Sequence, residues 1–280
     1  MLICVYILIA AVIVFALVKL CKREHFAVAD RIEPVWTYWE NPPGKTTPKI
    51  VRRCYRNWKN IGKVKDLRIL TPENLSNFIP QSEIDRINYS CQGNLAVKSD
   101  FIGLFILHRY GGTMIDGTVY MHSPLSSWLP KAIGNASFFC FEGKRYSKGG
   151  ICPETFFMYS KPGSLLAKEW YSRIHQVGAS PDIARFINRL EQKYPDIAHN
   201  FSQDNYLWVY LVGKQMLIEN SNLRKNLNTI ASEDDPIKVL SVSNWDTESA
   251  CRALLNPQEG NITKLDNGLW SECDVNIVPV

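Results

Sequence analysis

Residues 98–124 read KSDFIGLFILHRYGGTMIDGTVYMHSP, and the fold turns on how this stretch is divided. Phe101 to His108 is apolar on nearly every face apart from Gly103, which predicts a buried helix with Ser99 placed to cap it. Gly111-Gly112 ends that helix, because two residues without Cβ permit a tight turn of either hand. Thr113-Met114-Ile115 is then a short strand. Asp116 stands at its carboxyl end, where open α/β sheets bind their ligands. Gly117 permits close backbone approach to a ligand, Thr118 adds a hydroxyl, and Val119 to Met121 resumes an extended run before Ser-Pro stops it. A carboxylate so placed suits Mn²⁺ or Mg²⁺ holding a diphosphate, since both prefer oxygen ligands and often take only one or two carboxylates. The alternative is that Asp116 caps a turn beside its glycine.

Upstream, Val35 to Trp39 is aromatic and β-branched and reads as the first strand of a sheet. Pro48 to Lys59 predicts a helix with Ile50, Cys54 and Trp58 along one stripe. Lys65 to Leu70 is a second strand, and Thr71-Pro-Glu-Asn opens a helical segment to Phe78. Strand, turn and helix in repetition argue for a parallel sheet with right-handed crossovers. Gly44-Lys45-Thr46 is no phosphate loop, because Trp39 occupies the position where that motif needs its first glycine. Downstream, Leu125 to Leu129 reads as a helix and Ala136 to Phe141 as a buried strand. The basic, glycine-rich loop from Gly143 to Gly150 offers Lys144, Arg145 and Lys148 to a charged ligand. Pro153 to Tyr159 is a strand with Glu154 at its start. Leu165 to Gln176 and Pro181 to Lys193 are helices, and Asn200 begins a last long helix to Ile218. Asp204 falls in the first turn of that helix, where the helix dipole alone favours a carboxylate.

The chain has 280 residues, 46% of them hydrophobic, and a net charge of +5. That is ample for a self-sufficient core. The basic excess is spread along the chain, which argues against nucleic acid as a partner. Eight cysteines, at positions 4, 21, 54, 91, 140, 152, 251 and 273, include no C-x-x-C pair and read as reduced thiols. Leu2 to Val18 is continuously apolar, at the lower edge of a membrane-spanning length. No Lys or Arg precedes it, while Lys19, Lys22 and Arg23 follow, so an uncleaved single-pass anchor is expected rather than a signal peptide. The positive-inside rule then puts the C-terminal domain in the cytosol and leaves its five Asn-x-Ser/Thr sites bare. The expected organisation is an anchor and basic flank over 1–23, a linker over 24–34 and one catalytic domain over 35–280.

Ser-Asp, a buried helix, Tyr-Gly-Gly, Asp-Gly-Thr and then Ser-Pro-Leu resemble the donor-binding core of the DXD-type glycosyltransferases. The closest likeness is to the capsular polysaccharide synthesis family, whose motif reads Asp-x-Thr. That resemblance implies a GT-A-like, Rossmann-type sheet and a nucleotide-sugar donor. It further implies a glycan or lipid-linked acceptor and Asp116 with Thr118 as the ligands of Mn²⁺ or Mg²⁺. It implies donor contacts from Trp36, Tyr38, Asp100, Arg109, Gly112 and Lys264 as well. Glu154 or Asp204 would be the base on the acceptor hydroxyl. The chain departs from the family at Gly103, where an Arg is common, and Arg109 is the nearest substitute. That departure, with the single-carboxylate motif, supports the rival reading of a non-catalytic, membrane-anchored binding or scaffolding protein that keeps the fold.

Overall fold

A computed structural model of the chain describes residues 32–180, 182–198, 201, 207–242, 246 and 260–265. The expected anchor, His199 and Asp204 lie outside these residues. Among the described residues no helix is long and apolar enough to cross a membrane.

Six strands form the central sheet: β1 (Val35–Tyr38), β2 (Leu67–Leu70), β3 (Gly112–Ile115), β5 (Phe138–Glu142), β6 (Pro153–Ser160) and β7 (Leu227–Ala231). Their order is β2-β1-β3-β6-β5-β7. β1 lies parallel to β2 and β3, and β5 lies parallel to β7. β6 runs against both of its neighbours. The sheet is therefore mostly parallel, as expected, with β6 as its one reversed strand. That reversal has a consequence for the site: it brings the start of β6 beside the carboxyl end of β3, with Ile115 opposite Phe157.

Strand alternation feeds two cores. Trp36, Met114, Phe138, Cys140 and Met158 pack into one, while Val35, Ile115, Phe139, Phe141 and Phe157 pack into the other. Both faces are covered, which is why the strands read as unbroken apolar runs instead of alternating ones. The first core takes α2 (Gln81–Ser90), α3 (Leu95–Tyr110), α5 (Leu165–Gly178), α6 (Ile183–Lys193), α7 (Pro195–Ala198) and α8 (Trp208–Glu219). The second takes α1 (Lys49–Asn60), α4 (Leu125–Ile133) and α10 (Lys238–Val242). Short α9 (Ser221–Lys225) leads into β7.

The decisive helix is α3, and it starts earlier than expected. Its cap is Asn94, whose side chain accepts from the amides of Ala96 and Val97, and Ser99 sits inside the helix. Its last turn ends at Gly111, as expected; Gly111 and Gly112 both have positive φ. A Cβ on Gly112 would overlap the Pro34 carbonyl, so that glycine serves the close approach of β3 to the chain before β1.

A second, two-stranded ribbon joins β4 (Val119–Met121) to β8 (Ile262–Lys264), antiparallel, with Val119 opposite Lys264. Helix α1 pins the other edge of β4. Asn57 donates to the Met121 carbonyl at 2.9 Å and accepts from its amide at 2.7 Å. Trp58 Nε1 donates to the Val119 carbonyl at 2.6 Å. Asn57 thus replaces the strand neighbour that β4 lacks on that side.

Candidate active site

The carboxyl ends of β1 and β3, the first turns of α3 and the start of β6 enclose a cavity of about 500 Å³. Tyr38, Trp39 and Glu40 reach it from β1, Asp116, Gly117 and Thr118 from β3, and Ser99 and Asp100 from α3. Thr155 from β6, Tyr210 from α8 and Lys264 from β8 complete the wall that the chemistry needs. Of the expected site residues, Tyr38, Asp100, Asp116, Thr118 and Lys264 are brought together here.

Asp116 leaves β3 with its amide donating to the Phe156 carbonyl at 2.8 Å, and its own carbonyl accepts from Val119. Its carboxylate lies 3.1 Å from Lys264 Nζ, and both side chains remain partly open. The same ammonium donates to Thr118 Oγ1 at 2.7 Å and to the Leu265 carbonyl at 3.2 Å. Asp100 borders the cavity beneath them. Burial pushes its carboxyl up to about 8, the Thr155 hydroxyl offsets part of the rise, Asp116 adds to it and Lys264 again offsets. Asp100 is therefore neutral at pH 7 and can donate as well as accept a hydrogen bond. Among the described residues no arginine lines the cavity beside it. Gly103 faces the sheet, where a Cβ would already lie 3.0 Å from Met114 Cγ, so the position where the family commonly has Arg is filled by methionine.

The opposite wall is a tied network. The Tyr38 hydroxyl donates to the Glu40 carboxylate, and Lys98 Nζ donates to the same carboxylate at 2.7 Å. Burial pushes Glu40 up, but the Lys98 and Tyr38 hydrogen bonds outweigh it and hold the carboxyl below its ordinary range. Trp39 is fixed by donating to Asn41 at 2.8 Å. Glu40, Trp39, Ser99 and Thr155 were missed in the sequence. The rule that found Asp116, ligands beyond the carboxyl ends of strands, points equally to Trp39 and Glu40 after β1.

Several expected contacts fall elsewhere. Trp36 is fully buried, donates to the Gly111 carbonyl at 2.9 Å and meets Phe78 edge-on at 5.4 Å. It belongs to the core. Arg109 is exposed at the far end of α3, nine residues from Asp100, which is about 13 Å along a helix. It borders a separate depression with Phe78 and Tyr110, so it does not replace the missing arginine. Gly112 packs on Pro34, as described above. Gly117 lines the cavity and is also crowded from behind, since a Cβ there would lie 3.0 Å from Trp39 and 3.2 Å from the Tyr55 hydroxyl.

Glu154 does not line the cavity. Its carboxyl turns toward Gly143 and Ser232, and burial raises it to about 7 with the Ser232 hydroxyl offsetting. Its neighbour Thr155 is the β6 residue that lines the cavity. The basic loop is likewise held by acids, with Lys144 2.9 Å from Asp234 and Lys148 2.8 Å from Asp196. Arg145 lies over the Tyr146 ring at 4.6 Å.

A divalent ion held by Asp116 and Thr118 is a poor fit to this donor set. Asp116 supplies one carboxylate there and Thr118 only a hydroxyl, so phosphate and water would have to complete the shell. Lys264 already occupies the space between Asp116 and Thr118. A dication about 4 Å from that ammonium is repelled by about 8 kcal/mol at an effective dielectric of about 20, which offsets much of its attraction to Asp116. Among the described residues no group of three or more His, Cys, Asp or Glu side chains is arranged for a metal.

The sequence model of the capsular polysaccharide synthesis protein family matches residues 18–177, more than half of the chain. The chain belongs to that family. The match covers β1 to α5 and thus every cavity residue named above except Tyr210 and Lys264. Residues beyond it complete the architecture, β7 in the main sheet and β8 in the ribbon. No curated protein matches the chain. Among solved structures, this family member is similar to a glycosyltransferase involved in the glycosylation of the major capsid of PBCV-1. That similarity has 10% identity and a TM-score of 0.39, covering 88% of this chain and 98% of that one. It is similar to the PaToxG glycosyltransferase at 12% identity and a TM-score of 0.35, covering 75% and 90%. For the apo-form glycosyltransferase GlyE of Streptococcus pneumoniae TIGR4 the values are 10% and 0.38, covering 83% and 54%.

Proposed function

We propose that this chain is a glycosyltransferase of the GT-A type, moving a sugar from a nucleotide-sugar donor to a hydroxyl of a glycan or lipid-linked acceptor. The observation that carries this reading is the convergence of Asp116, Thr118, Lys264 and a neutral Asp100 on one aromatic-walled cavity of about 500 Å³. A cavity of that size suits a small-molecule ligand. Lys264 is the cation for the diphosphate. Asp100, able to donate and accept, suits sugar hydroxyls, and Trp39 and Tyr210 give flat surfaces for a base or sugar ring. In the transfer, the bond from the anomeric carbon to the phosphate oxygen breaks and its electron pair leaves with the nucleoside diphosphate. The acceptor oxygen bonds to that carbon and loses its proton. Charge grows on the departing phosphate, and a fixed ammonium beside it stabilises that growth. Glu154 and Asp204 are the candidate bases for that proton; Glu154 is turned away from the cavity and Asp204 lies outside the described residues. Leu2 to Val18 is proposed to anchor the domain on the cytosolic side of a membrane.

Incubating the full chain with a panel of nucleotide-sugars and measuring released nucleoside diphosphate tests the reading. Release from at least one donor, raised by a hydroxyl acceptor, is expected. Release from none would refute it.

A further inference from the structure

We propose that Lys264 is a built-in replacement for a divalent cation, so that donor diphosphate binds this chain without metal. The inference rests on the nucleotide-sugar reading above and goes beyond it.

The first argument is position. A metal held by Asp116 and Thr118 would sit between their oxygens, and Lys264 Nζ is there, 3.1 Å from one and 2.7 Å from the other. The second is that the ammonium is held in place. Its three N–H groups have three oxygens, the third being the Leu265 carbonyl at 3.2 Å. Its strand is pinned on both sides. Lys264 N donates to the Pro236 carbonyl at 2.7 Å and Leu265 N to the Thr118 carbonyl at 2.9 Å. Buried Asp235 accepts from the Asn261 amide at 2.8 Å, from Asn261 Nδ2 at 2.9 Å and from the Ile262 amide at 3.2 Å. These bonds fix the strand that carries Lys264, and its contacts with Asp116, Thr118 and Leu265 fix the ammonium. The third argument is charge. One carboxylate against one ammonium leaves Asp116 and Lys264 neutral as a pair, so an incoming phosphate can take over the N–H now spent on the neutral Leu265 carbonyl. The charge-assisted bond so formed is the stronger of the two.

The test is titration of a nucleoside diphosphate into the full chain, once in EDTA and once in Mn²⁺, for the wild type, Lys264→Met and Lys264→Arg. The wild type is expected to bind equally, within about threefold, in both buffers. Lys264→Met should bind at least about tenfold more weakly in EDTA and regain affinity in Mn²⁺, because removing the ammonium frees the place between Asp116 and Thr118. Lys264→Arg, which keeps the charge, should retain binding in EDTA and shows that a loss in the Met variant is not misfolding. Wild-type binding that requires Mn²⁺ would overturn the proposal while leaving the donor site standing. No binding in either buffer would remove the donor site, and this inference with it.

Discussion

Replacing Asp100 by Asn tests the electrostatics of the cavity without touching its shape. In the folded chain burial holds the Asp100 proton until about pH 8, whereas an ordinary aspartate releases it near 3.8. Between those values the unfolded state binds fewer protons than the folded state, so stability falls as pH rises. Fully expressed, the loss is about 1.4 kcal/mol per pH unit, or about 2.7 kcal/mol from about pH 5 to about pH 7. Asp100 borders the cavity, and water there screens part of the burial penalty, which brings the expected figure to roughly 1.5–2.7 kcal/mol. Asparagine does not titrate and keeps a partner for Thr155. Urea unfolding of wild type and Asp100→Asn at several pH values isolates the effect, because Glu154, itself raised to about 7, is present in both. The variant should gain that amount relative to wild type as pH rises from about 5 to about 7. A difference that stays constant within about 0.5 kcal/mol would show that Asp100 is ionised, and the single-carboxylate description of the site would fall.

Two further outcomes are expected. Asn57→Ala leaves the buried amide and carbonyl of Met121 without partners and should cost about 2–4 kcal/mol in urea unfolding, loosening the β4 ribbon. Asp116→Asn should lower turnover at least about a hundredfold, or about 2.7 kcal/mol, with little change in melting temperature, because its charge orients Lys264 and its amide anchors on Phe156 regardless of the side chain.

Much of this site was legible in residues 98–124. A run apolar on all faces is a buried helix, two glycines stop it, and the acid after the next strand stands where ligands collect. Those inferences need only local sequence. The reversal of β6 was not legible, because Pro153–Ser160 is buried along its whole length and a two-sided strand carries no mark of direction. The true cap of α3 was missed because Ser99 and Asn94 are both good caps, and only the packing of Val97 on the core decides for the earlier one. The packing role of Gly117 was hidden for a similar reason: nothing local announces that Trp39, Tyr55 and Val51 crowd its missing side chain. Lys264 was expected near phosphate, but its pairing with Asp116 and Thr118 joins positions well over a hundred residues apart through the ribbon, which no local pattern encodes.

The central claim is that the cavity at the ends of β1 and β3 receives the donor. A crystal structure of the chain with a nucleoside diphosphate tests it most directly. The account predicts phosphate oxygens within hydrogen-bonding distance of Lys264 Nζ, beside Asp116 and above Asp100. A nucleotide lodged elsewhere, in the depression beside Arg109 and Tyr110 for instance, with Lys264 still bound only to Asp116, Thr118 and Leu265, would contradict it.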